Sequence, residues 1–160
     1  MALESVSRED YKDEYGTTVL ELWKTCVELA NAKTEKRTSS NNIFITINAA
    51  LLAVVSFSLD YKSILLSIVG FAVCVVWLNS IESYKKLSSA KYHIINEIEL
   101  QLPLKPFAYE WEILNKGNKF LRLTKIEKVL PCLFIALYVI SVLYPFIIWL
   151  HSILCNCPGR

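Results

Sequence analysis

Three stretches of this 160-residue chain contain no charged residue at all. They cover residues 43–59, 63–81 and 129–150. A helix needs roughly 17–25 apolar residues to cross a hydrocarbon core of about 30 Å, and a helix can pair its backbone groups internally there. The absence of charge therefore predicts three membrane spans. It also argues against ion-coupled carriers and proton relays, which place ionisable side chains inside the bilayer.

Other scarce features exclude further classes of protein. The net charge is only +2, so the chain lacks the basic surface of a nucleic-acid-binding protein. Residues 1–42 have no early apolar core, and we expect no cleavable signal peptide. The five cysteines do not suggest a disulfide framework, since Cys74 and Cys132 lie in apolar runs. Cys155 and Cys157 offer too few ligands for a zinc site, and the sequence does not indicate their role.

The positive charges lie on one side of the predicted spans, and this asymmetry predicts the topology. Positively charged residues in cytoplasmic loops set the orientation of membrane proteins. We therefore expect the N-terminus and residues 82–128 to be cytoplasmic and the C-terminal tail to lie outside. The flanking charges on the inner side are Lys33, Lys36, Arg37, Lys85, Lys86, Lys91, Arg122, Lys125 and Lys128, against Lys62 and Arg160 on the other side.

The predicted fold is an all-α membrane protein. A short link at residues 60–62 makes the first two spans an antiparallel transmembrane hairpin. Apolar residues keep helical spacing beyond the second span as far as Pro103, so the hairpin carries a long cytosolic extension. The third span is a separate C-terminal helix. The predicted segments are a flexible N-terminus (1–17), a cytosolic helix (18–42), span one (43–59), span two (63–81), a stalk helix (82–102), an irregular crossover (103–123) and span three (129–150).

Two details of the N-terminal helix follow from its polar residues. Thr18 and Glu21 form a capping-box pattern, which predicts that the helix begins there. The polar patch Ser39–Asn42 could end one helix and begin another, or the helix could continue into span one. The sequence leaves both alternatives open.

Small and polar side chains mark the inner surface of the first two spans. Four of them, Ser63, Ser67, Gly70 and Cys74, recur at spacings of four, three and four residues. Such a row of small side chains permits close approach of another helix. Asn48 is costly against lipid and should face a helix or a wet cavity. Helix packing is the simpler interpretation, and a pore lining is the alternative. The candidate residues are Thr46, Asn48, Ser56, Ser63, Ser67, Gly70 and Cys74.

The helices outside the membrane carry more apolar surface than one antiparallel partner can bury. Surplus apolar surface in a solvated region predicts contact with another chain. The candidate contacts between copies are Trp23, Tyr84, Leu87, Ile94 and Ile98.

No constellation of residues predicts catalysis. His93 and Glu97 are four apart and could share a metal or a proton, but a zinc site needs three or four ligands. No Ser or Cys has a neighbouring base that would activate it. We predict no catalytic residue, no metal and no cofactor. An enzyme acting on lipids through His93 and Glu97, or through Glu110 and Glu112, is the least favoured hypothesis.

Several segments resemble the RipA family, a group of small bacterial inner-membrane proteins described as octameric. They are ELWKTCVELA around Trp23, INAALLAV at residues 47–54, residues 77–103, and FAYEW at residues 107–111. The most telling positions of this resemblance are Trp77, Tyr84, Lys91, Glu99, Pro103, Glu110 and Trp111. Related chains tend to have Leu-Asn where this one has Leu87-Ser88-Ser89, so this chain lacks that amide.

The resemblance implies a homo-octamer in the bacterial inner membrane, needed for growth inside host cells, and it implies no reaction. The leading hypothesis is thus a non-enzymatic oligomer that supports envelope integrity or adaptation. The hairpin is also similar in architecture to the two-span SLATT proteins, proposed membrane effectors of bacterial defence. That likeness implies the alternative, a channel-like or membrane-permeabilising effector. The expected partners are membrane lipids, copies of the same chain, and an unknown membrane or cytosolic protein.

Overall fold

A computed structural model of the chain describes residues 14–57, 61–116 and 123–155. Four helices occupy these residues, and no strand occurs among them. They are α1 (Tyr15–Phe57), α2 (Tyr61–Glu99), α3 (Pro106–Lys116) and α4 (Leu123–Cys155). Of these, α1, α2 and α4 are long and apolar enough to cross a membrane. The predicted all-α membrane fold is confirmed, whereas the predictions for residues 1–13 and Cys157 lie outside the described residues.

Helix α1 continues without a break through the polar patch Ser39–Asn42. Asn and Ser end helices when their side chains bind nearby backbone groups. Here the Asn41 amide is engaged elsewhere, because it accepts a hydrogen bond from Trp77 Nε1 at 2.9 Å and donates one to Glu127 at 3.2 Å. The continuous-helix alternative therefore holds in this structure.

The predicted start of this helix at Thr18 is wrong. Helix α1 begins at Tyr15, so Thr18 already lies within its first turns. The hydroxyl of Thr17 donates a hydrogen bond to the carbonyl of Glu14, the residue before the helix, at 2.8 Å. A capping-box pattern can occur by chance inside a helix, where the Thr and Glu side chains have no free backbone donors to satisfy.

The crossover after α2 is not wholly irregular, contrary to the prediction. Helix α2 ends at Glu99, and the 11-residue helix α3 begins at Pro106. Pro106, like Pro103, would be expected to end a helix. Proline is nevertheless favoured at the first position of a helix, where its missing N–H has no carbonyl to bind and its fixed φ suits the helix.

The chain divides into two compact units, which we name by their composition. The charged unit comprises Met1–Arg37 and Ser83–Arg122, and the apolar unit comprises Thr38–Glu82 and Leu123–Arg160. The apolar unit contains the uncharged runs of all three long helices. Its core is formed by Cys74, Trp77, Ile81, Phe134 and Tyr138.

Candidate functional site

The most buried polar group of the apolar unit is the amide of Asn48. Its Nδ2 donates to the Phe44 carbonyl at 2.8 Å, and its Oδ1 accepts from Cys74 Sγ at 3.1 Å and from the Tyr138 hydroxyl at 3.3 Å. The side chain is fully buried. An unpaired amide in hydrocarbon costs several kcal/mol, and the three hydrogen bonds avoid that cost. Because their partners lie on α1, α2 and α4, this one residue connects the three helices.

A second polar contact, separate from that of Asn48, joins α2 to α4. The hydroxyl oxygens of Ser67 and Ser141 lie 2.8 Å apart, and Ser67 is buried. One turn along α2, a Cβ atom on Gly70 would overlap the Tyr138 ring. The absence of a side chain at Gly70 therefore makes room for the tyrosine that reaches Asn48.

Polar and aromatic side chains also connect the three helices near the charged ends of the apolar runs. Trp77 is buried and stacks on Phe44 with ring centroids 5.7 Å apart, while its Nε1 donates to Asn41. Beyond it, Lys128 donates to the Glu82 carboxylate at 2.6 Å. Trp77 is one of the positions that carry the RipA resemblance, and here it packs within the protein.

The predicted polar residues of the spans fall into two groups. Asn48, Ser63, Ser67 and Cys74 are buried and Gly70 contacts Tyr138, so the structure brings these five together at the helix contacts. Thr46 and Ser56 are exposed, and their hydroxyls donate to the carbonyls four residues earlier in α1.

Sequence reasoning missed the partners that α4 supplies. Tyr138 and Ser141 lie three apart in an apolar span, on one helix face. A buried tyrosine usually has a partner for its hydroxyl, and this was the signal available in the sequence.

Among the described residues of the charged unit, Glu99 has a buried carboxylate. Its two oxygens accept hydrogen bonds from the backbone N–H groups of Phe107 and Ala108, at 3.1 and 3.2 Å. These donors belong to the first turn of α3, which has no helical partners for them. A carboxylate at a helix N-terminus also interacts favourably with the helix dipole. Glu99, which the resemblance marked without a role, thus holds α3 in place.

Aromatic rings contact one another within the charged unit. The Phe107 ring lies 5.9 Å from that of Trp23 and 6.0 Å from that of Tyr92. The Lys33 ammonium lies 6.0 Å from the centroid of the Tyr84 ring. The structure therefore places Trp23 and Tyr84, both predicted to contact another copy, in contacts within one chain.

The charged unit nevertheless exposes a large apolar surface. Leu87 and Ile94 on α2 are 42% and 40% exposed, whereas Ile98 and Lys91 are half-buried. Solvated surfaces of this kind mark interaction sites. The other large apolar side chains exposed on this unit are Leu20, Leu22, Leu29, Tyr92, Leu100, Leu104, Tyr109, Trp111 and Ile113.

The remaining candidates do not converge on a reaction centre. His93 Nδ1 lies 3.9 Å from Glu97 Oε1, and both side chains are exposed. Pro103, Glu110 and Trp111 are exposed as well. Among residues 14–57, 61–116 and 123–155, no three His, Cys, Asp or Glu side chains are close enough to hold a metal ion.

Comparison with known proteins identifies a family. A family model described as the octameric membrane protein family (8xMP) matches residues 20–147, which reach from the start of α1 into the last third of α4. No curated protein and no solved structure matches the chain. The family match confirms the resemblance to octameric membrane proteins that the sequence predicts.

Proposed function

Because the chain belongs to the octameric membrane protein family, we propose that it acts as a homo-oligomeric scaffold in a bacterial inner membrane, without a reaction of its own. The observation that carries the proposal is the apolar surface of the charged unit. Leu87 and Ile94 lie between charged and polar residues, outside the uncharged runs, and a single chain leaves them exposed. Association of copies removes this surface from water, which is favourable.

The composition of the charged unit supports the proposed topology. It contains the basic residues that precede the first span and those that follow the second, including Lys33 and Lys85. Both segments therefore belong to one compact unit. Together with the distribution of Lys and Arg, this supports a cytoplasmic N-terminus and cytoplasmic residues 82–128.

The biological role rests on the resemblance to the RipA family. That resemblance implies support of the envelope, including during growth inside host cells. We propose membrane lipids and further copies of this chain as its partners, together with one unidentified membrane or cytosolic protein.

The mass of the purified protein in mild detergent tests self-association. We expect light scattering, with the detergent contribution subtracted, to give a single species near eight copies. The double variant Leu87→Asp/Ile94→Asp should lower this mass at least twofold, because it puts two charges into a surface that association buries. Both residues are already exposed in one chain, so the change should leave the fold intact.

Ser89→Asp/Asn96→Asp is the matched control. These positions are also exposed, lie on the same helix and are also seven residues apart. The control should keep the wild-type mass. A wild-type protein that is monomeric or dimeric in several detergents would contradict the proposal, as would a Leu87→Asp/Ile94→Asp variant of unchanged mass.

A channel has less support from the structure. Asn48, the most polar residue of the spans, is enclosed by partners within one chain. Thr46 and Ser56 are exposed, and these two are what a central path in the assembly could use. Ion or dye flux from sealed liposomes that contain the assembled protein would support the channel. An absence of flux from such liposomes would count against it.

A further inference from the structure

The cation of Lys91 lies inside an apolar stripe of the charged unit. Leu87, Lys91 and Ile94 are spaced by four and three residues on α2, so their side chains share one face. Lys91 is half-buried between the two exposed apolar side chains, and it has no ion-pair partner in the part of the chain that the structure describes. We call these three residues the α2 stripe.

Helix α3 presents a second exposed surface. The helix has only 11 residues and none of them is buried. Isolated helices of fewer than about 12–15 residues are marginal in water. Its outer face carries Tyr109 and Ile113, which are 66% and 54% exposed. Next to them stands Glu110, an acidic residue without an ion-pair partner among the described residues. Tyr109, Glu110 and Ile113 form what we call the α3 face.

These two surfaces lie on different sides of the charged unit. Helix α3 meets α2 through Phe107, whose ring contacts Tyr92. Ile94 follows Tyr92 by two residues and therefore points about 200° further round the helix. The α3 helix cannot cover the α2 stripe of its own chain.

The membrane restricts how copies can be arranged. Copies of one sequence insert in one orientation, because the same Lys and Arg flanks orient each of them. Two-fold axes in the membrane plane, which would invert half of the copies, are then excluded. A closed assembly of more than two copies must be a ring about an axis normal to the membrane. Neighbours in such a ring touch through two different surfaces.

We propose that the α3 face of one copy docks on the α2 stripe of the next, with the Glu110 carboxylate paired to the Lys91 ammonium. Tyr109 and Ile113 then cover Leu87 and Ile94. The two surfaces are complementary, since both are apolar and each carries one charge, of opposite sign. This inference rests on the proposed self-association and names the surfaces that carry it.

Charge reversal tests the pairing. Lys91→Glu and Glu110→Lys each put like charges together at every contact in the ring, and each should lower the mass in mild detergent at least twofold. The double variant Lys91→Glu/Glu110→Lys restores opposite charges and should recover the wild-type mass. Lys86→Glu, an exposed position on another face of α2, is the control and should leave the mass unchanged.

Two results would overturn the docking model. Either the single reversals keep the wild-type mass, or the double variant is as dissociated as the singles. The wild-type mass is measured separately, so a wild-type octamer with insensitive variants would reject these surfaces while keeping self-association.

Cross-linking provides a second measurement, at two positions that are exposed in one chain. Two differently tagged chains are co-expressed, one with Ile94→Cys and the other with Ile113→Cys, and treated with a short bis-maleimide. We expect a product that carries both tags, beyond the background that the native cysteines of the unmodified chain give. Cross-links between two Ile94→Cys chains, or none in the mixed pair, would overturn the proposal.

Discussion

The Tyr138 ring occupies the space in which a side chain at position 70 would lie. From there its hydroxyl reaches the backbone carbonyl of Asn48 at 3.2 Å and the side-chain oxygen at 3.3 Å. Small residues at helix contacts in membranes serve this purpose, because they allow a large neighbour or a second backbone to approach. One missing side chain thus fixes the position at which α4 meets the hairpin.

Adding one methyl group at this position should loosen α4. Gly70→Ala puts a Cβ into the Tyr138 ring, and overpacking of this kind costs about 1–3 kcal/mol. The expected result is a lower midpoint of thermal unfolding in mild detergent, followed by circular dichroism. Gly16→Ala is the matched control, since the added Cβ would meet no neighbouring atom of the described residues within 4 Å, and it should not lower the midpoint. Equal midpoints for the two variants would contradict the contact.

The Glu99 carboxylate should control the order of α3. Glu99→Gln keeps the shape but leaves only one acceptor oxygen for two backbone donors, and an unsatisfied buried donor costs about 1–3 kcal/mol. We expect faster amide hydrogen exchange in residues 106–116, measured by mass spectrometry on peptides. Glu97→Gln, two residues away and exposed, should leave the exchange unchanged. Protection of α3 that survives Glu99→Gln would show that other contacts hold the helix.

At the scale of whole elements, α1 is the most informative helix. It extends over 43 residues and passes through Ser39–Asn42 without interruption. Within this patch Asn41 makes tertiary contacts, with Trp77 and Glu127. A segment that resembles a linker by composition is therefore part of a continuous helix.

Proline at position 39 tests this continuity. Ser39→Pro removes a backbone hydrogen bond and introduces a clash with the preceding turn, which costs about 3 kcal/mol inside a helix. We expect loss of helical circular dichroism and a lower unfolding midpoint. Ser39→Ala is the control, because Ser39 is exposed and alanine favours the helix. If the two variants behave alike, the chain bends or breaks at this patch.

The elements differ in how far the sequence predicts them. The long helices follow from uncharged runs and helical spacing, which are local properties. Helix α3 was missed because Pro106 is compatible with either a stop or a start, and Glu99, seven residues earlier, decides between them.

The contacts of the candidate site were predictable only in part. The small-residue stripe of α2 indicated the face at which another helix approaches, but not the helix itself. Asn48 and Tyr138 are 90 residues apart, and no local pattern relates two positions at that distance. The same holds for the α2 stripe and the α3 face, since their separation depends on how α3 folds back against Tyr92.

At the scale of the whole molecule, the spans leave most of their surface uncovered in one chain. At most 28% of the most apolar window of any long helix is buried. In a membrane, the remainder faces lipid or neighbouring copies.

The orientation of the chain can be measured with a reporter that is active only outside the cytoplasm. Fused after Arg160, the reporter should be active, because three spans place the ends of the chain on opposite sides of the membrane. Fused after Lys116 in a shortened chain, it should be inactive. An inactive reporter at Arg160 would mean that α4 does not cross fully, whereas activity at Lys116 would reverse the proposed orientation.

The hydrogen bonds between Glu99 and α3 bear on the number of copies in a ring. In a ring, the number of members is set by the angle between the two surfaces through which each member touches its neighbours, and eight members require about 45° per step. Seven members require about 51°, so a tilt of about 6° separates the two rings. Since α3 carries one of those surfaces and Glu99 binds its first turn, a single carboxylate would contribute to the angle that decides how many chains close the circle.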